Sequence, residues 1–181
     1  MILVRLDRIP GNVKFPGYSE YFVANSLDFG VGRSIDSSDK NSGDISLGKS
    51  ATQNLCFDKN VDEATVYLMH AAMKNRTKTD GPTTFCIDIH FIQSRRYEDT
   101  RKDNDIPAPY LKVRIENAIL QDWKISGSND ERPTESIEIW FNKAAMKYYA
   151  TDDGKEFKTH GPLGWDQQAN ESWKSSILEK K

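Results

Sequence analysis

The stretch from residue 109 to residue 150 constrains the fold of this chain more than any other. Leu111, Val113, Ile115, Asn117 and Ile119 alternate with Lys112, Arg114 and Glu116, the period of two expected of a strand with one buried and one wet face. Gly127, Ser128, Asn129 and Asp130 follow as turn residues, and Pro133 suits only a strand's start or edge. Ile137, Ile139 and Phe141 restart the alternation, and after Lys143 the apolar phase moves to Ala144, Met146 and Tyr148. One extra residue turns every later side chain over, so a bulge near Lys143 is expected. Two antiparallel strands cannot bury their apolar face alone. The remaining chain must close around them.

The rest of the sequence supplies that cover. Residues 2–9 read as a strand with Ile2, Val4 and Leu6 on one side and Arg5 and Asp7 on the other. A second strand is expected from about Tyr18 to Val31. Its odd side carries Tyr21, Val23, Leu27, Phe29 and Val31, and its even side ends in the small or polar Ala24, Ser26 and Asp28. Residues 32–50 are rich in serine and glycine and read as a long exposed loop. A third strand runs near Gln53–Lys59. Then Ala64, Tyr67, Leu68, Ala71 and Ala72 form the stripe of a helix that Asp62 caps and that reaches about Asn75. Thr83–Gln93 is a fourth strand. Asp152, Asp153 and Gly154 mark a hairpin turn, a last short strand lies near Trp165, and the polar residues beyond Gln167 end as a tail. One helix among seven or eight strands indicates an all-β barrel or sandwich with the helix packed on its side.

Composition narrows function by exclusion. A chain of 181 residues is expected to form one domain, and a net charge of −2 suggests neither a nucleic-acid nor a membrane partner. Hydrophobic residues make up only 37% of the chain, a modest core for which assembly is one compensation. Charges at Arg5 and Asp7 interrupt the first apolar run, so no cleaved secretory signal is expected. Cys56 and Cys86 are expected as reduced thiols rather than a disulfide framework. Cys86, Asp88 and His90 share one strand face, a set that tempts a catalytic or metal-binding reading. Their side chains run parallel, though, roughly 6–7 Å apart from one to the next, so a solvated or interface face is the expectation. His70 and His160 fall in no catalytic or metal-binding spacing. On the wet side opposite Ile139 and Phe141, Trp140 is either an interface aromatic or covered by the helix.

Four matches in order give the chain a family resemblance. The run Ser126-Gly127-Ser128-Asn129-Asp130-Glu131-Arg132-Pro133-Thr134-Glu135-Ser136 resembles the turn and strand start of Hcp, the haemolysin-coregulated tube protein family of type VI secretion. Asn54-Leu55-Cys56-Phe57-Asp58-Lys59 followed by Asp62 is similar to the family's strand leading to the helix. Tyr110-Leu111-Lys112 opens the long strand, and Gly164-Trp165-Asp166 with Asn170 resembles the closing motif. Leu27-Asp28-Phe29-Gly30 departs from the family's paired tryptophans, and the segment around 94–109 is longer than usual.

The resemblance implies a tight antiparallel β-barrel of two sheets with one side-packed helix, over residues 1–170, with 171–181 as a polar tail. It also implies a homohexameric ring. Rings would stack into a tube inside a contractile sheath, tipped by a spike protein of the VgrG kind, with small effectors carried in the lumen. Neither catalysis nor a cofactor or metal is expected, nor a nucleic-acid partner or membrane insertion. The protein would be cytoplasmic while assembled and secreted without a cleaved signal peptide. Ala24, Ser26 and Asp28 are expected to face the lumen. The loop carrying Asp36, Ser37, Asp39, Lys40, Asn41 and Asp44 is expected to dock one ring on the next. A phage-type tail tube protein and a monomeric small-molecule-binding barrel are the alternative readings.

Overall fold

The computed structural model describes residues 1–36, 46–74, 84–92, 109–152, 156–175 and 178. Its strands are β1 (Ile2–Leu6), β2 (Phe22–Ala24), β3 (Ser26–Asp28), β4 (Val31–Asp36), β5 (Ser46–Thr52), β6 (Leu55–Asn60), β7 (Phe85–Ile92), β8 (Pro109–Ser126), β9 (Thr134–Trp140), β10 (Lys143–Asp152), β11 (Glu156–Asp166) and β12 (Glu171–Ser172). The helix α1 (Thr65–Met73) lies between β6 and β7.

The 18-residue β8 is the axis of the molecule. Its first half pairs with β7 on one edge and β10 on the other, and its second half pairs with β9. From β7 the ladder continues through β1 to β2, and from β9 through β6 to β3. β2 and β3 are consecutive in the chain, so the two arms meet at Asn25 and the strands wrap into a barrel. Hydrogen bonding along the sheet is interrupted at that corner, where the Asn25 N–H donates to the Asp58 carbonyl at 2.7 Å. Phe22 stacks on Phe57 across the gap, ring centroids 5.7 Å apart.

The wrapped strands enclose Val4, Leu6, Phe22, Leu55, Phe57, Ile87, Ile89, Val113, Ile115, Ile137, Ile139 and Phe141. α1 adds Ala64 and Leu68 to this core, with Ala71 and Ala72 against its edge. Burial of each large aliphatic or aromatic side chain contributes roughly 1.5–3 kcal/mol. Asp62 does not cap the helix directly. Its carboxylate accepts the Ala64 N–H at 2.8 Å, while its own N–H donates to the Thr65 hydroxyl at 3.0 Å. The helix ends at Met73, short of the expected Asn75.

The structure corrects three expectations. Residues 18–31 do not form one strand. Phe22 and Ala24 point inward before Asn25, and Leu27 and Phe29 pack on the core after it, because the chain passes from one sheet to the other. A similar crossing replaces the bulge near Lys143: Phe141 and Asn142 separate β9, in the β3–β6–β9 arm, from β10, which pairs with β8 and β11. Finally, the expected loop at 32–50 begins and ends as a ribbon, with Val31 opposite Thr52, Ile35 opposite Leu47 and Asp36 opposite Ser46. The alternation of Val31, Arg33 and Ile35 suits a strand, although serine and glycine dominate the local composition.

β10, β11 and β12 extend the larger sheet past the barrel. Of the residues beyond 170, expected as a polar tail, 171–175 and 178 are described, and they meet the sheet here. Glu171 and Ser172 pair with Asp166 and Trp165, and Ser175 and Leu178 are buried.

Candidate assembly surfaces

The strand face that carries Cys86, Asp88 and His90 is the outer face of the larger sheet, where ion pairing holds Asp88 and aromatic packing holds His90. Asp88 is buried and accepts hydrogen bonds from Arg5 and, at 2.9 Å, from Arg114 Nη1. His90 sits between Tyr18 and Tyr21, ring centroids 5.6 and 5.2 Å away. Burial, then the charge of Lys112, lowers its pKa to about 4, so it is a neutral imidazole at physiological pH. Burial and Asp88 push the Tyr21 hydroxyl up to about 12. Both cysteines are free thiols, and burial raises the pKa of each, which disfavours the nucleophilic thiolate. Among the described residues, no group of three or more His, Cys, Asp or Glu is arranged to hold a metal ion. Among the same residues, no helix is long and apolar enough to cross a membrane.

Among the described residues, two sheet faces are left open. The first is the wet face of the β3–β6–β9–β8 arm, where one cross-strand row reads Asp28, Cys56, Glu138, Asp122 and the next Ser26, Asp58, Ser136, Lys124. The Ser26 hydroxyl donates to Asp58 at 2.8 Å, and Lys124 pairs with Asp122 at 2.8 Å. Asp28, Asp58 and Glu138 all raise the Cys56 pKa further. Ile119 and Trp140 form an exposed apolar pair at the end of this face, so the helix does not cover Trp140. Ser26 and Asp28 belong here. Ala24 does not. It is 4% exposed and inside the core, because the crossover at Asn25 puts it in opposite phase to the two residues expected beside it.

The second surface lies on the extension. Ala144, Met146 and Tyr148 on β10 stand opposite Ile115, Val113 and Leu111 on β8, so they continue the face that forms the core. On β11, Trp165, Leu163 and His160 continue it again. Nothing among the described residues covers this end. Met146, Tyr148 and Trp165 are well exposed, Leu163 is 77% exposed, and Tyr110 packs edge-on to Tyr148 at 6.4 Å. A separate apolar patch, Val66, Tyr67 and Met73, is exposed on α1. The phase shift after Lys143 signalled that Met146 and Tyr148 were strand residues, but not that their side of the sheet is bare.

Over residues 3–148 the chain matches the family model described as type VI secretion system effector, Hcp. The chain belongs to the Hcp family. The solved structures agree with that fold. One described as a type six secretion system protein superposes with a TM-score of 0.78 at 17% identity, covering 95% of this chain and 98% of its own. Hcp1 from Salmonella typhimurium gives 0.64 at 21%, covering 95% and 97%. A type VI secretion system effector from Yersinia pestis gives 0.64 at 15%, covering 92% and 99%. Comparison with curated proteins found no match.

The Hcp motifs acquire physical reasons in this setting. A Cβ on Gly164 would meet the Ala144 carbonyl oxygen and the Ala145 Cβ at 2.6 Å and the Trp173 carbonyl oxygen at 2.7 Å, so β11 can approach its neighbours only without a side chain there. Asp166 accepts the N–H groups of Gln168 and Ala169 at 3.0 Å and pairs with Lys143 at 2.7 Å, which turns the chain toward β12. Those bonds, the Ala169 N–H first, lower the Asp166 pKa. In the earlier motif, Leu55, Phe57 and Lys59 all point inward. Of the residues expected to dock one ring on the next, Asp36 ends β4, while Ser37, Asp39, Lys40, Asn41 and Asp44 lie outside the described residues.

Proposed function

We propose that this Hcp-family chain is the structural subunit of a type VI secretion inner tube. Six copies close into a ring, rings stack into a tube within a contractile sheath behind a spike protein, and contraction expels the tube with small effectors in its lumen. The observation that carries the reading is the bare core face of β10 and β11. Met146, Tyr148, Leu163 and Trp165 are the kind of aromatic and aliphatic side chains that assembly interfaces bury, and the face resembles a core cut open, as obligate interfaces do. Its counterpart in a ring is an unlike patch on the next copy, a head-to-tail contact that closes when the rotation fits. Sedimentation tests this: a mass of one or two chains across micromolar concentrations overturns the ring.

Ser26 and Asp28 line the lumen in this reading, together with the polar rows that continue from them through Cys56 and Glu138. Short and acidic side chains keep such a bore wet and open. The segment from Asp36 to Asp44 docks one ring on the next through short hydrogen-bonding groups and mixed charge, a contact that salt weakens. Replacing 36–44 by a Gly-Ser linker should leave hexamers intact and abolish tubes and secretion. Unchanged tubes and secretion would remove the segment from the stacking contact.

A further inference from the structure

On the outer face of the larger sheet, His90, Lys112 and Lys147 stand side by side in register across β7, β8 and β10. Lys147 is 7% exposed, yet among the described residues its ammonium has one hydrogen-bond acceptor, the Leu178 carbonyl at 2.9 Å. Lys112 has no hydrogen bond or carboxylate partner among those residues. Its ammonium lies 5.2 Å from the centroid of the Tyr149 ring, which also takes Lys147 at 5.3 Å. Nearby, the Nδ1 of His90 and the Oγ of Ser175 are buried without a hydrogen-bond partner among the described residues. Ser175 is itself 2% exposed, and its carbonyl accepts the N–H of the same Leu178.

The other buried cations among the described residues are matched. Lys59 meets Asp62 and Glu135, and Arg114 meets Asp88 and Glu116. A buried ammonium that finds no counter-charge among the described residues is costly, and a second ammonium on the same ring adds repulsion. Among the described residues, Asp88, two positions along β7 from His90, is already engaged by Arg5 and Arg114. We propose that this seam binds one oxyanion, of the phosphate or carboxylate class, whose oxygens take the donors of Lys112 and Lys147 that no described residue engages. Free phosphate and a carboxylate offered by a second copy of the chain are the two sources. The phosphate arm is independent of the ring reading, while the second arm rests on self-association.

The test uses the full chain and two variants. Lys112 is partly exposed and outside the core, so Lys112→Gln should fold, which its far-ultraviolet dichroism and melting curve check. Lys124→Gln, on an exposed lysine paired with Asp122, is the control. Calorimetric titration with inorganic phosphate, against sodium chloride of equal ionic strength, should show one saturable site per chain. Affinity should fall about tenfold or more in Lys112→Gln, the scale of one charge-assisted hydrogen bond, and stay unchanged in the control. If a second copy supplies the oxyanion, sedimentation in phosphate-free buffer should show self-association weakened by a similar factor in Lys112→Gln and competed by added phosphate. No saturable phosphate binding together with unchanged self-association overturns the proposal, as does an equal loss in the control variant.

Discussion

Lys59 on β6 and Glu135 on β9 stand opposite each other in the ladder and form an ion pair with both side chains wholly buried. The pair organises its surroundings. Glu135 also accepts the Thr65 hydroxyl at 2.8 Å and the Trp123 indole N–H at 2.6 Å, while Lys59 also donates to Asp62 at 2.6 Å. One buried cluster therefore ties β6, β8, β9 and the start of α1 together. A buried pair adds little over an apolar replacement of the same shape, but an orphaned member is expensive. Glu135→Ala should lower stability by about 3–5 kcal/mol, whereas the double change Lys59→Met with Glu135→Leu should recover most of it. Urea denaturation of the single and double variants measures the difference, and equal losses would show that packing rather than charge decides.

His90 makes stability depend on pH. Its pKa in the folded chain is about 4, lowered by burial, Lys112 and Arg5 against the opposing pull of Asp88, whereas in the unfolded chain it keeps the ordinary imidazole value of 6.5. Between those values the unfolded chain binds the extra proton. Stability is therefore complete above about pH 6.5 and falls as pH drops toward about 4, by at most about 3 kcal/mol. Replacing His90 by Gln removes this dependence. The stability gap between wild type and variant should shrink from about pH 7 to about pH 5, and a constant gap would mean that the imidazole does not titrate on unfolding.

Leu163 separates folding from assembly. It is too exposed to support the isolated chain, so Leu163→Asp should change its stability by no more than about 0.5 kcal/mol. If the β10–β11 face is the subunit contact, a carboxylate at its centre should weaken association by about 2 kcal/mol or more per contact. Sedimentation should then find smaller species at concentrations where the wild type forms the proposed ring. A ring of unchanged mass and stability would move the contact elsewhere.

Asp28 tests the proposed lumen. It is exposed on the polar face of the smaller arm, in register with Cys56. Asp28→Arg should leave the ring's mass and melting temperature as they are and alter which proteins are retained when the ring is purified from cells expressing candidate effectors. Failure to fold or assemble would make Asp28 a structural residue.

Sequence by itself determined the elements and their inward faces wherever one strand keeps one pair of neighbours. The alternation from Leu111 to Ile115, the stripe from Ala64 to Ala72 and the Gly-Trp-Asp motif were all legible, because period and backbone clearance are local properties. Tertiary structure alone decided where a strand changes sheets. Asn25 and the Phe141–Asn142 step look like ordinary strand positions, and only the neighbours on either side reverse the phase, which is why Ala24 belongs to the core while Ser26 and Asp28 face water. Burial of Lys59, Glu135 and Lys147 was equally hidden, since a charged residue's partner lies on a strand distant in sequence. The same holds for the bare face of Met146, Tyr148, Leu163 and Trp165. Their pattern is that of a core, and whether a core face is covered depends on what the rest of the chain, or another chain, lays over it.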